Sequence, residues 1–303
     1  MTKVLGIVKE GRLIPEELWV KFVNSMENNF ENLETNQERA KREVAEAFVN
    51  AVKKRIAPKF GILFSGGVDS SLIAFVSKQL KAEFTCYTVG IESSDDIAWA
   101  QKVAEVYRLN FKYKILGLDE FENTVKSVVR LLNDADFVKV SVGSVLYAAG
   151  KLALSNSDNI LFGGLGSEEI FAGYKRHEDA LQKNNFEALH KECWNGLRNM
   201  WGRDLTRDFT IANHLGLELR APFLDKDLIK TAMNVHPMLK LGKDSKKIIL
   251  REAAEFIGLK KEFAWRRKQA AQYGSNFAKG IEKLAKDKGF KMKKDYLQSL
   301  LKK

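Results

Sequence analysis

Apolar residues in the first half of the chain recur in two alternating rhythms. Val44, Phe48, Ala51 and Val52 return at three- and four-residue spacing, which places them on one face of a helix that starts near Gln37. Pro58 ends that helix, because proline bars the helical conformation at the residue before it. The apolar run Phe60-Gly-Ile-Leu-Phe64 precedes a glycine-rich turn, and Leu72-Ile-Ala-Phe-Val76 follows in a helical setting. A strand, a turn and a helix in that order open an α/β unit. Phe84 to Val89, rich in aromatic and β-branched residues, predicts a second strand. Ile97 to Tyr107 reads as its helix and Phe111 to Leu116 as a third strand. Ser141 to Leu154 is a run of small and apolar residues that reads as a helix, and Ile160-Leu-Phe162 is a fourth strand ending in Gly163-Gly164.

Strands alternating with helices predict an α/β fold, a doubly wound parallel sheet with right-handed crossovers. Beyond about Gly173 the strand signal stops, and Phe186, Trp194, Trp201 and Trp265 fall in helical stretches. The opening stretch mixes short apolar groups with acids and asparagines and predicts no element. The chain therefore divides into an N-terminal segment (1–36), an α/β core (37–175), a largely helical part (176–278) and a basic C-terminal tail (279–303). It contains no internal repeat.

Composition and charge narrow the class. With 45% hydrophobic and 29% charged residues, the chain is neither collagen-like nor disordered. No apolar run approaches the roughly 18 uncharged residues of a membrane span. The opening MTKVLGIVKEGRL puts charges where a secretory signal would be apolar, so the chain reads as cytoplasmic with no membrane partner. Cys86 and Cys193 cannot build a disulfide framework or a four-cysteine metal site, and Cys86 reads as a small core residue. His177, His190, His214 and His236 show no metal-ligand spacing. The net charge of +11 is unevenly placed: Lys240 to Lys303 carries 19 Lys or Arg against 7 Asp or Glu, a net of +12. Such an end fits either a solvated lysine-rich surface or contact with an anionic partner, nucleic acid included.

The strongest local chemistry lies at Ser65-Gly66-Gly67-Val68-Asp69-Ser70-Ser71, between a predicted strand and a predicted helix. Two glycines allow a tight turn whose amides converge, and the helix start adds the positive end of its dipole. Ser65, Ser70 and Ser71 supply hydroxyl groups, and Asp69 suits a Mg²⁺ ion bridging phosphates. The turn lacks the lysine of the GxxxxGK[ST] loop, and it is not GxGxxG. A serine-capped glycine turn without ligand is the structural alternative.

These residues resemble the pyrophosphate loop of the N-type ATP pyrophosphatases, which cleave ATP between the α and β phosphates and adenylate a carbonyl or carboxyl oxygen. Three later stretches look like the synthetase domain of glutamine-dependent asparagine synthetase and its relatives, β-lactam synthetase among them. They are Gly163-Gly-Leu-Gly-Ser-Glu-Glu-Ile-Phe-Ala-Gly-Tyr174, Gly216-Leu-Glu-Leu-Arg-Ala-Pro-Phe-Leu-Asp225, and Lys247-Ile-Ile-Leu-Arg251 leading to Arg266-Arg-Lys268. The ending Lys268-Gln-Ala-Ala-Gln-Tyr-Gly-Ser275 is similar to the diverged asparagine synthetase domain-containing branch.

The resemblance spans about Gln37 to Ala278. It implies an adenine nucleotide alpha hydrolase-like sheet of HUP type and an ATP-dependent, AMP-forming carbon–nitrogen ligase. By position, Ser65, Gly66, Gly67, Asp69 and Ser70 would hold the pyrophosphate, and Phe64, Val89, Gly163 and Gly164 would line the nucleoside. Asp69 and Glu168 would bind Mg²⁺, and Lys247 and Lys268 would be the catalytic lysines facing the phosphates. Arg220 and Asp225 are expected to hold the helical part onto the sheet.

The chain departs from the family in three ways. Residue 2 is Thr, and only residues 1–36 precede the matching region, so a glutaminase half is not expected here. Nitrogen would come from free ammonia or a separate glutaminase subunit. Leu165 stands where the family has a glutamate tied to aspartyl-adenylate formation, and leucine neither accepts a hydrogen bond nor carries charge. Glu168 stands in place of aspartate. Aspartate and ammonia are the default small-molecule substrates. The alternatives are a tRNA-modifying enzyme built on the same loop and a non-catalytic nucleotide-binding scaffold.

Overall fold

The computed structural model describes residues 8–9, 12–182, 185–267 and 270–301. The predicted helix runs Gln37–Lys53, with Asn36 as its cap accepting from the Arg39 amide, and buries Val44, Phe48, Ala51 and Val52. A short hairpin, β1 (Val8–Lys9) and β2 (Arg12–Leu13), lies at the N-terminal end. It leads into a helix Glu16–Asn24 that the sequence pattern does not announce. Trp19 of that helix is fully buried, and its indole N–H donates to the Leu197 carbonyl at 2.8 Å.

The main sheet is parallel and contains β3 (Phe60–Leu63), β4 (Phe84–Gly90), β5 (Phe111–Ile115), β6 (Ile160–Phe162) and β7 (Glu218–Arg220). Its order is β5-β4-β3-β6-β7. The first four strands stand where the hydrophobic pattern predicts them. The fifth corrects the expectation that strands stop at Gly173: Glu218 to Arg220 pairs with Ile160 to Phe162 along the sheet edge. Three residues with polar ends on a sheet edge carry too little alternation to be read as a strand.

The winding order places the site. From β3 the chain moves outward to β4 and β5, then returns to lay β6 against the other side of β3. The strand order reverses between β3 and β6, and ligands in open α/β sheets bind at the carboxyl ends of the strands at such a point. The loops that follow β3 and β6 therefore converge, although 98 residues separate Asp69 from Ser167.

The helix Phe137–Leu154 is long and apolar enough by length and composition to cross a membrane. In the structure half of it is buried against the fold, and its small residues permit close approach. A Cβ on Gly150 would lie 2.7 Å from the Leu217 side chain. Residues Phe277–Asp287 and Lys293–Leu301, within and next to the basic C-terminal stretch, form two helices that bury Phe277, Ile281, Leu284, Tyr296, Leu297 and Leu300 in the core. Lys279, Lys283, Lys286, Lys293 and Lys294 stay on the outer side.

The helical part is joined to the sheet by charge. Asp225 caps the helix Lys226–Asn234 by accepting from the Asp227 amide at 3.0 Å and lies 2.8 Å from the Arg55 guanidinium, both side chains buried. Arg220 reaches the Arg55 carbonyl. Burial opposes the Asp225 charge, but Arg55 outweighs it and keeps the carboxyl below its ordinary range.

Lys240, at the start of a tight hairpin closed by a Leu241–Lys246 bridge, is fully buried, and its ammonium meets the Met233 sulfur at 3.8 Å. Burial pushes this lysine down to about 8. An amine whose folded pKa is depressed costs stability wherever it stays charged, so the cost is full below pH 8 and shrinks as pH rises toward the unfolded value. Lys240→Met should stabilise the protein by roughly 1–3 kcal/mol at pH 7. The gain over wild type should shrink between pH 8 and 10, a trend that thermal melts across that range check directly.

Candidate nucleotide site at the sheet switch point

After Leu63 the chain turns through Ser65-Gly66-Gly67 into the helix Val68–Gln79. Gly66 has φ +67°, and a Cβ there would sit 2.8 Å from the backbone of Trp99 and Ala100, so glycine is required by both conformation and space. Gly67 starts the helix without a side-chain cap. The first turn of the helix and the positive end of its dipole therefore face the turn. Ser70 fixes the loop from inside: its hydroxyl accepts from the Ser65 amide at 3.2 Å, donates to the Gly67 carbonyl at 3.3 Å and lies 3.3 Å from the Ser65 hydroxyl.

Three distant segments meet at Asp69. The Lys247 ammonium donates to Asp69 Oδ1 and Oδ2 at 3.0 and 2.9 Å, and stands 2.8 Å from Glu168 Oε1. The Ser167 hydroxyl donates to Asp69 Oδ1 at 2.7 Å and accepts from Lys247 at 3.2 Å. Burial works against the Lys247 charge, but Asp69 and Glu168 together hold the ammonium above its ordinary value. Lys247 has φ +56°, a left-handed backbone at the start of the helix Ile248–Ile257. That conformation costs a side-chain-bearing residue about 1–2 kcal/mol. Gly173 makes the meeting possible, since a Cβ there would fall 1.6 Å from Glu168 Oε2 and 2.6 Å from Lys247 Cε.

The donor set fits a hard divalent cation: two carboxylates and a hydroxyl, all oxygen. Among the described residues no group of three His, Cys, Asp or Glu side chains could hold a metal ion by itself, so a metal on Asp69 and Glu168 would need further oxygens from a ligand.

The remaining expected residues lie around this point. Gly164 approaches Asp69 closely, with a Cβ position 3.0 Å from Asp69 Cβ, and the Gly163 amide donates to the Arg220 carbonyl at 3.0 Å. Phe64 is buried; its amide donates to the Tyr87 carbonyl and its carbonyl accepts from the Thr88 hydroxyl. Val89 is buried near the carboxyl end of β4, paired across from Lys114. Lys268 lies outside the described residues.

Sequence reasoning missed Arg266, although it quoted the motif that holds it. Arg266 is buried, donates to the Ser65 carbonyl at 2.5 Å and to Asp96 at 3.0 Å, and its guanidinium stands 5.0 Å from the Trp99 ring. It clamps the turn from the helical part, and burial lowers its pKa against the pull of Asp96. The segment Ala271–Gly274 packs on the same wall, with a Gly274 Cβ position 2.4 Å from Asp96.

A second charged cluster was also missed. Glu169 is buried beside Arg203 at 2.5 Å and Arg176 at 3.7 Å; Arg203 meets Asp204 at 2.6 Å, and Arg207 pairs with Asp204 and Asp208. Burial, reinforced by Asp204, pushes the Glu169 carboxyl up to about 7. Arg176 and Arg203 stand 4.1 and 5.1 Å from the Tyr174 ring. His177 is a packing residue: buried, its Nδ1 accepts from the Tyr174 amide, and burial pushes it down to about 3.

A family model described as asparagine synthase matches residues 43–189 and 182–300. The putative asparagine synthetase [glutamine-hydrolyzing] 1 of Methanocaldococcus jannaschii is 34% identical over 297 residues, covering 86% of this chain and 54% of that protein. The asparagine synthetases [glutamine-hydrolyzing] of Rattus norvegicus and Homo sapiens are 32% and 33% identical, over 91% and 83% of this chain and 49% and 45% of their own. The chain thus spans about half the length of these curated relatives. Among solved structures, an NAD+ synthetase from Burkholderia pseudomallei aligns with 91% of this chain and 98% of its own, at 12% identity and a TM-score of 0.33.

The geometry at Gly66 yields a specific expectation. Gly66→Ala should destabilise the fold by about 2 kcal/mol or more, from left-handed strain and the clash with Trp99 and Ala100. It should also weaken binding of an ATP analogue at temperatures where the variant stays folded. Calorimetric melts and titrations check both effects.

Proposed function

The chain belongs to the asparagine synthase family, and from that premise we propose that it activates a carboxylate with ATP and converts the acyl-adenylate to an amide. The observation that carries the reading is the meeting of Asp69, Ser167, Glu168 and Lys247 directly at the serine- and glycine-rich turn. An ATP phosphate chain laid on that turn would receive loop amides, the Ser65 and Ser70 hydroxyls and the helix dipole on one side. Lys247 would supply positive charge from the other.

Carboxylate oxygen attacks the α-phosphorus, the α–β bridge bond breaks, and pyrophosphate leaves with the bond's electron pair. An amine or ammonia then attacks the acyl carbon, displacing AMP and giving the amide. Little covalent help is required of the protein, because the reaction needs alignment of two substrates and neutralisation of the leaving charge. Lys247 is suited to the second task, and Ser65, Ser70 and the loop amides to the first. Asp69 and Glu168 would hold Mg²⁺, which would supply positive charge to offset that of the phosphates. Arg266 acts through the turn by fixing the Ser65 carbonyl, so it is a positioning residue.

Aspartate is the default carboxylate, by the family and the names of the relatives. Leu165 bears on this choice, since it packs against the apolar core where the family has glutamate. The acyl acceptor nitrogen would be free ammonia or ammonia delivered by a separate glutaminase. Leu165 also favours a second reading, a nucleotide-binding scaffold without turnover.

Incubation with ATP labelled at the α-phosphate, Mg²⁺, ammonium and a panel of carboxylates separates these readings. The expected result is carboxylate-dependent AMP that falls at least about a hundredfold in Asp69→Ala. AMP with a carboxylate other than aspartate keeps the chemistry and changes the substrate. ATP bound with no AMP under any condition would overturn the ligase reading in favour of the scaffold.

A further inference from the structure

Lys247 stands where a divalent ion on the Asp69–Glu168 pair would have to stand. Its ammonium takes both Asp69 oxygens, at 3.0 and 2.9 Å, and Glu168 Oε1 at 2.8 Å. Mg²⁺ binds such oxygens at about 2.0–2.1 Å, which would bring two positive charges within a few ångströms of each other in a buried site. Repulsion at that distance is severe where water does not screen it. Space around the pair is tight: even a Cβ on Gly173 would fall 1.6 Å from Glu168 Oε2 and 2.6 Å from Lys247 Cε.

We propose that Lys247 is a displaceable placeholder cation. It keeps free divalent metal off Asp69 and Glu168, and it yields the pair only to a metal arriving with nucleotide phosphates, whose oxygens then receive the ammonium. The proposal rests on the ATP reading of the site and specifies how that site loads.

Three further observations support exchange over a fixed ion pair. The carboxylate pair lacks a third acidic, His or Cys ligand among the described residues, so metal and phosphates complete each other's coordination. Lys247 sits at the end of a short hairpin, where Leu241 bridges Lys246 and the Gly242 amide donates to Ser245 at 3.0 Å. Its long unbranched side chain leaves a left-handed backbone, so the amine can re-aim by side-chain rotation while the helix Ile248–Ile257 stays docked. The arrangement also keeps the buried Asp69 carboxylate and the partly exposed Glu168 compensated in the unloaded protein, which removal of the lysine would undo.

The test uses Mn²⁺ as probe, followed by electron paramagnetic resonance on the full chain without nucleotide. Wild type should show no saturable Mn²⁺ site in the micromolar range. Lys247→Met should gain one site at least about tenfold tighter, lost again when Asp69→Asn is added. Equal Mn²⁺ affinity in wild type and Lys247→Met, or no gain in the variant, would overturn the proposal.

If Lys247→Met does not fold, amine labelling of the wild-type chain with mass-spectrometric readout answers the same question. The labelling rate of Lys247 should respond to Mg²⁺ with a non-hydrolysable ATP analogue and not to Mg²⁺ alone; a response to Mg²⁺ alone contradicts exchange. Binding of a fluorescent ATP analogue to wild type tells the two ideas apart. No nucleotide binding removes the ATP reading and the placeholder with it, whereas nucleotide binding without the Mn²⁺ gain removes the placeholder alone.

Discussion

The contact of Lys247 with Asp69 and Glu168 is the constraint on which the rest of the structure turns. Two carboxylates from the segments after β3 and β6 meet at one point, Asp69 buried there, an arrangement that is costly without a cation. The cation comes from the helical part, 178 residues beyond Asp69. Sheet and helical part therefore cannot be considered separately: the site exists only when both are in place. Gly173, Ser167 and the left-handed backbone of Lys247 are all consequences of packing a lysine, two carboxylates and a hydroxyl into one small space.

The positive charge of the C-terminal region is put to two uses. Lys247 and Arg266 are turned inward, one onto the carboxylate pair and the other onto the Ser65 carbonyl and Asp96, while Arg251 donates to the Ala264 and Arg266 carbonyls and braces the segment between them. Elsewhere in the fold, Arg55 and Asp225 make a comparable buried pair at 2.8 Å. The turn is thus gripped by hydrogen bonds from its own helix and by cations from the helical part. The lysines of the last two helices stay on the outer surface, where charge costs little.

Much of this was legible in the sequence, and the part that was not has physical causes. The strand-turn-helix around Gly66 and Gly67 is local, and glycine in a turn announces its own geometry, so both the loop and the first four strands of the sheet could be placed. β7 escaped because its three residues take their conformation from pairing with β6, not from their own pattern. The helix Glu16–Asn24 escaped because Leu18, Trp19, Val20, Phe22 and Val23 follow one another so closely that no single stripe marks the buried Trp19 and Val23. Resemblance brought Lys247 and Glu168 to the phosphates and metal as separate roles. That the lysine bonds both carboxylates is a long-range fact no spacing encodes. The cluster around Glu169, Arg203 and Asp204 was invisible for the same reason, although each residue lies near a recognised motif.

The central claim is that this switch-point site cleaves ATP between the α and β phosphates through an acyl-adenylate. Exchange of labelled pyrophosphate into ATP, measured with Mg²⁺ and each carboxylate in the absence of any amine, tests it most directly, because exchange requires a reversible adenylation and nothing after it. The account predicts exchange that depends on a carboxylate and disappears when Lys247 is replaced by Met. Exchange absent with every carboxylate, in protein that binds ATP and is folded, would contradict it.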